Sequence, residues 1–271
     1  MKKGLFFLIA IVFALHIDAK TIAISYFDNS SGDAKYNALS KGIADMLITD
    51  LSKVKGVTIV EREKLEKLLQ EIKLGQSKYF DQSTAQKLGK GLGAQNILTG
   101  SFYILDNIIR LDARLIDVQT GGVIFAEQVS GNKNNFFALH QQLANLLAKN
   151  INVPYSPDLS GLYKAGEEVT LKEVVNFSNA LELQDVGMSS DAKQILEKTI
   201  KDNPKFRFAK NKLEDIKEWL KKVELQREQL ILEELKNTIN SLDANSDKFG
   251  MQISNVWTTL LSSYKYNQLL S

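Results

Sequence analysis

The chain has no cysteine among its 271 residues, which excludes disulfides, thiol nucleophiles, thiolate metal sites and acylation of an amino-terminal cysteine. Histidine is nearly as scarce: there are two, and His16 lies in the amino-terminal segment, so His140 alone serves the body of the protein. A transition-metal site would therefore be all carboxylate, and no tight acidic cluster offers one. No cofactor is expected. Charge of one sign is also missing. The formal net charge is +2, which gives no electrostatic reason to expect nucleic acid as a partner. Prolines number three, and two of them, Pro154 and Pro157, stand close together. Long hydrophobic runs are absent beyond Leu5–Leu15, which falls short of the roughly 20 apolar residues a membrane-spanning helix needs.

That short run follows Lys2-Lys3 and closes at His16-Ile17-Asp18-Ala19, the layout of a cleavable export signal over residues 1–19. The mature protein is then expected to be soluble in an exported compartment, with no remaining segment long enough to span a membrane as a helix.

Past the signal, periodicity marks alternating element types. Thr21–Phe27 alternates as a strand and ends in the turn-rich Asp28-Asn29-Ser30-Ser31-Gly32-Asp33. Leu39, Ile43, Met46, Leu47 and Leu51 fall at helical spacing within 36–54. A short strand over 57–60 leads to a Leu-rich helix over 61–74, and Asp81 or Ser83 caps another helix before Gly93. Residues 95–131 then read as three strands. Asp106-Asn107 breaks the first pair and Thr120-Gly121-Gly122 the second. Between those turns, Ile109, Leu111, Ala113 and Leu115 alternate with Arg110, Asp112 and Arg114, giving one buried and one wet face. Asn134–Asn150 closes this part as a helix. The order predicts a mixed-sheet α/β sandwich over residues 20–151.

Residues 152–169, with Pro154, Pro157, Gly161 and Gly166, read as a linker, and 170–271 as an all-helical region. Ala192, Leu196 and Pro204 stand where a tetratricopeptide repeat places its small, large and closing residues. Asn176 and Ala180 replace the expected aromatic and glycine, so the pair reads either as a degenerate repeat or as an ordinary helical hairpin. Residues 207–242 predict one long helix. Its stripe Leu213, Ile216, Leu220, Val223 is out of phase with Leu232, Leu235, Ile239, Leu242, as for packing against two surfaces.

Motifs for catalysis are thin. His140 is expected as a partly exposed helical residue and not as a base. Gly89-Lys90-Gly91-Leu92-Gly93 follows a helix and precedes a strand, the reverse of a phosphate loop. Asp28, Asn29 and Asp33 have too few oxygens at fixed spacing for a calcium loop. Asp112 and Glu127 lack a second group for acid–base work, so no enzyme is expected. Glu61-Arg62, directly after a strand, can form an internal salt bridge or dock a partner carboxylate. With Trp219 and Trp257 of the helical region, Glu61 and Arg62 make up the candidate partner-binding set.

Taken in order, YFDN at 26–29, VER at 60–62, LGAQNILTGS at 92–101 and RLIDVQTGGVI at 114–124 resemble the CsgG/HfaB curli-assembly family, whose TolB-amino-terminal-like fold FlgO-type proteins share. The resemblance implies a CsgG/TolB-N-like sandwich in a non-enzymatic periplasmic scaffold or adaptor of an outer-membrane or cell-envelope assembly. It implies envelope proteins as partners and assembly as a homo-oligomer. A periplasmic activator of a cell-wall synthase, LpoB-like, is the alternative. A secretion pore fits less well. The family's pore is built from long hairpin insertions, for which these short connections leave no room, and its acylated cysteine is missing.

Overall fold

The computed structural model describes residues 20–72, 81–151, 168–241 and 249–270. The expected export signal, 1–19, and all but the end of the expected linker lie outside the described residues.

Strand β1 (Lys20–Asn29) runs through the centre of the α/β part, and Ile22 to Phe27 are buried without interruption. Such a run has no wet face because the strand is paired on both edges and covered above and below. It lies parallel to β2 (Val57–Ile59) on one side and to β3 (Asn96–Leu105) on the other. Antiparallel β4 (Ile108–Asp117) and β5 (Val123–Asn132) complete the order β2-β1-β3-β4-β5. Helix α1 (Leu39–Leu51) connects β1 to β2, and α2 (Arg62–Ile72) and α3 (Gln82–Gly91) precede β3. This is the mixed-sheet sandwich that the periodicity predicts. Asp81 caps α3 by accepting from the Thr84 amide at 3.0 Å.

Sterics set the hairpins. Asp106 takes φ +51° between β3 and β4, and the Lys133 ammonium donates to its carbonyl at 2.6 Å. Gly100 on β3 is crossed by the Phe27 ring, which a Cβ there would overlap. In β4 the alternation holds: Ile109, Leu111, Ala113 and Leu115 are buried, while Arg110 is exposed. Helix α4 (Phe136–Asn150) packs on β5, with Leu139 close over Gly131.

The helical region begins at a full capping box, where Thr170 and Glu173 satisfy each other's amides at the start of α5 (Leu171–Asp185). Gly187, at φ +82°, turns the chain into α6 (Ser189–Asp202), and the two form a hairpin. Ala180, Ala192 and Leu196 are fully buried in it. Helix α7 (Arg207–Asn240) has 34 residues, about 50 Å at the usual rise per residue. Leu213 and Ile216 are buried in the body of the protein, whereas Val223 is exposed; beyond it, α8 (Phe249–Leu270) packs alongside α7, and Leu235 is buried there. Among the described residues no helix is long and apolar enough to cross a membrane.

The hydrophobic core is continuous from Ile22 to Ile216. Helix α1 has almost no wet side because the sheet covers one face and α5 the other.

Candidate functional site at the junction of sheet and helical region

Charged side chains gather where α1, α2, α5 and α7 meet. Helix α1 supplies Lys41 and Asp45, four residues apart on one face. Helix α2 supplies Arg62 and Glu66 at the same spacing, and β1 contributes Tyr26 from below. Asp185 arrives from the last turn of α5 and Lys212 from α7.

Arg62 is the hub, with its side chain 2% exposed. Its Nη1 donates to Asp185 Oδ1 and Oδ2 at 2.7 and 2.8 Å. Its Nε lies 3.2 Å from Asp45 Oδ1, close enough for charge attraction but without the alignment of a hydrogen bond. Lys41 Nζ reaches Asp185 Oδ2 at 2.7 Å and Glu66 Oε2 at 3.2 Å. Lys212 Nζ approaches Asp45 at 3.4 Å. Tyr26 donates its phenolic proton to Glu66 Oε2 at 2.6 Å.

Three cations thus face three carboxylates, and burial is offset by pairing. Desolvation works against the charge on Arg62, but the oxygens of Tyr26, Asp185 and Asp45 outweigh it and its pKa moves up. Burial raises the Tyr26 pKa far above the usual phenol range, so its hydroxyl stays a donor. Desolvation also opposes the Glu66 carboxylate; the Tyr26 hydrogen bond and Lys41 reverse it, and the net shift is downward. Glu182 and Asp215, at the rim, are raised by desolvation.

A second buried cluster ties the same helices together. Asp50, near the end of α1, is fully buried and accepts from Arg207 Nη2 at 2.6 Å. Its other oxygen lies 3.2 Å from His140 Nε2 of α4. The Arg207 guanidinium sits 3.9 Å over the Phe208 ring, and Phe208 meets His140 edge to face at 5.9 Å. The structure here corrects the sequence expectation that His140 is partly exposed: its side chain is 0% exposed. A helix period identifies one covered face of α4. It does not reveal that Phe208 and Arg207, from more than sixty residues on, cover the other.

Of the candidate partner-binding residues, only Arg62 enters the junction. Glu61 is exposed immediately before α2, Trp219 is 47% exposed on α7, and Trp257 is 62% exposed on α8. Asp112 is paired with Arg110 and Glu127 accepts from Asn150 at 2.7 Å. Gly89 lies in the last turn of α3 against Val118, and Asp33 caps a single 3-10 turn. Sequence reading passed over Lys41, Asp45 and Asp50. The available signal was three charges on an otherwise apolar helix beside Gly42, where a Cβ would overlap Ser178 Oγ of α5.

Comparison with known proteins finds matches to part of the chain. The putative adenylate cyclase 3 of Rhizobium meliloti (strain 1021) is 30% identical over 135 residues, which is 49% of this chain but 21% of that protein. The chain therefore spans about a fifth of that relative's length. Among solved structures, the LpoB C-terminal domain from Salmonella enterica is 20% identical and matches 42% of this chain and 84% of its own, at TM-score 0.36. Lipoprotein GNA1162 from Neisseria meningitidis is 16% identical and matches 50% of this chain and 99% of its own, at TM-score 0.38. The family model described as "Curli production assembly/transport component CsgG" matches residues 9–110, so over that stretch the family resemblance carried by YFDN, VER and LGAQNILTGS is shown.

Proposed function

We propose that this chain is a non-enzymatic periplasmic scaffold or adaptor of a cell-envelope assembly, working as a homo-oligomer. In this reading the α/β part docks into the larger machine and the helical region recruits an envelope protein. The observation that carries the reading is the match of residues 9–110 to a family of curli assembly and transport components.

The geometry supports a rigid adaptor over a pore subunit. Strands β3 and β4 are joined by Asp106-Asn107 alone, and β5 passes through a single 3-10 turn into α4. Neither connection holds the pair of strands of nine to eleven residues each that an outer-membrane hairpin requires. The junction carboxylates Asp45, Glu66 and Asp185 are each engaged by a cation, which suits a structural role better than acid–base chemistry. At the far end, α7 and α8 expose Trp219, Leu230 and Trp257, a composition suited to binding.

Photo-crosslinking in the producing cell tests the proposal. With a photoreactive residue at Trp219 or Trp257, the expected outcome is a discrete adduct with one envelope protein, on a chain released by osmotic shock. A chain that stays with the cytoplasm and gives no adduct overturns it.

A further inference from the structure

The distal half of α7 exposes an apolar row with a definite register. Leu225, Leu232 and Ile239 follow one another at seven-residue intervals, so they share one face of the helix. They are 48%, 65% and 53% exposed. The side of α7 that is covered is marked instead by buried Leu235 and partly buried Ile231 and Thr238. Charges are interleaved along the exposed row: Lys221, Glu228 and Lys236 are all exposed and within a turn of the apolar positions. Trp257 and Leu261, one turn apart on α8, add exposed apolar surface to the same two-helix arm.

We infer that this face binds a second copy of the chain, with the two α7 helices antiparallel about a twofold axis at Leu232. The register follows from the positions themselves. End-for-end reversal about Leu232 sets Leu232 on its own counterpart, Leu225 on Ile239 of the second copy, and Glu228 on Lys236 of the second copy. The last pair occurs twice by symmetry. Parallel alignment in register would instead set Glu228 against Glu228 and Lys236 against Lys236. Charge pattern and apolar pattern therefore choose the same orientation. The contact stretches from Leu225 to Ile239, about 20 Å of helix. It uses none of the ionic junction and leaves the sheet of each copy at an outer end; it rests on the homo-oligomer part of the proposed function and stands or falls separately from the recruitment of an envelope protein.

The test is sedimentation of the full chain together with charge reversal. Glu228→Lys and Lys236→Glu each turn two attractive pairs into repulsive ones and should weaken dimerisation about tenfold. The double reversal restores both pairs and should return the dimer to its original affinity. Both residue types favour helix, so circular dichroism should be unchanged. Because the chain has no native cysteine, geometry can be read directly. Leu232→Cys should oxidise to a disulfide dimer, and a mixture of Glu228→Cys with Lys236→Cys should cross-link to each other more than to themselves. A Glu233→Cys control, on another face, should not. A monomer throughout the micromolar range, a double reversal that fails to restore association, or homotypic cross-links at positions 228 and 236 would overturn the antiparallel pairing.

Discussion

Arg62 and Asp185 stand 123 residues apart in the chain, yet one guanidinium nitrogen contacts both oxygens of that carboxylate at 2.7 and 2.8 Å. The pair joins the first turn of α2 to the last turn of α5, and so fixes how the helical region sits on the sheet. Both partners are buried, and the value of such a pair lies in orientation more than in net stability.

Removing one member of the pair should therefore be costly. Arg62→Met leaves Asp185 and Asp45 buried with less compensation and should destabilise the fold by about 3–5 kcal/mol in urea unfolding. Arg62→Met combined with Asp185→Leu removes both charges and should recover most of that loss. Equal destabilisation in the single and double variants would show that the pair does not act as a unit.

Packing at the junction is as demanding as its charge. Gly42 on α1 lies against Ser178 of α5, whose hydroxyl is turned to the Val174 carbonyl at 2.7 Å. Alanine at 42 gains helix propensity but should still destabilise by about 1–3 kcal/mol through overpacking. Adding Ser178→Gly clears the space, and a large part of the loss should return in thermal melts.

The pH dependence follows from two glutamates shifted in opposite directions. Glu66 has a folded pKa below 4.5, so it contributes stability above that value and loses it as pH falls through the folded pKa. Glu182 has a folded pKa above 4.5 because burial disfavours its charge. From 4.5 up to that raised value the folded form of Glu182 holds more protons than the unfolded form, so stability declines as pH rises through that window. Glu66→Gln should flatten the acid limb of a stability–pH curve. Glu182→Gln should be stabilising at pH 7 by less than about 1 kcal/mol, with the gain gone at pH 4. Parallel curves for both variants and the parent would refute this assignment.

Much of the α/β part is legible in sequence because its signals are local. The alternation Ile109, Leu111, Ala113, Leu115 needs only a period of two, and the Asp106-Asn107 turn needs only residues that tolerate positive φ. Helix α7 is legible for the same reason. The junction is different. Nothing near Arg62 points to Asp185, and nothing near Asp50 points to Arg207, because each pairing is created when α5 and α7 fold back onto α1. His140 illustrates the same limit. Its helical face can be assigned from neighbours four residues away, but its burial depends on Phe208.

Asp50 provides the sharpest local test of how the helical region is attached. Itself fully buried, it receives the partly buried Arg207 from α7 and the buried His140 from α4. Asp50→Asn keeps the shape but offers one acceptor oxygen and no charge, which leaves the Arg207 cation short of compensation. The expected destabilisation is about 3 kcal/mol, in the range seen when one side of a buried pair is removed. The distribution of that loss is the informative part. Arg207 is the first residue of α7, so amide hydrogen exchange should accelerate through α5, α6 and the start of α7. Strands β3 to β5 should keep their protection, since their ladder is closed by pairs such as Leu111 with Val129 that do not involve the helical region. Uniform acceleration across the sheet would instead show that α1 is itself undone by the loss of Asp50, and that the two parts unfold as one.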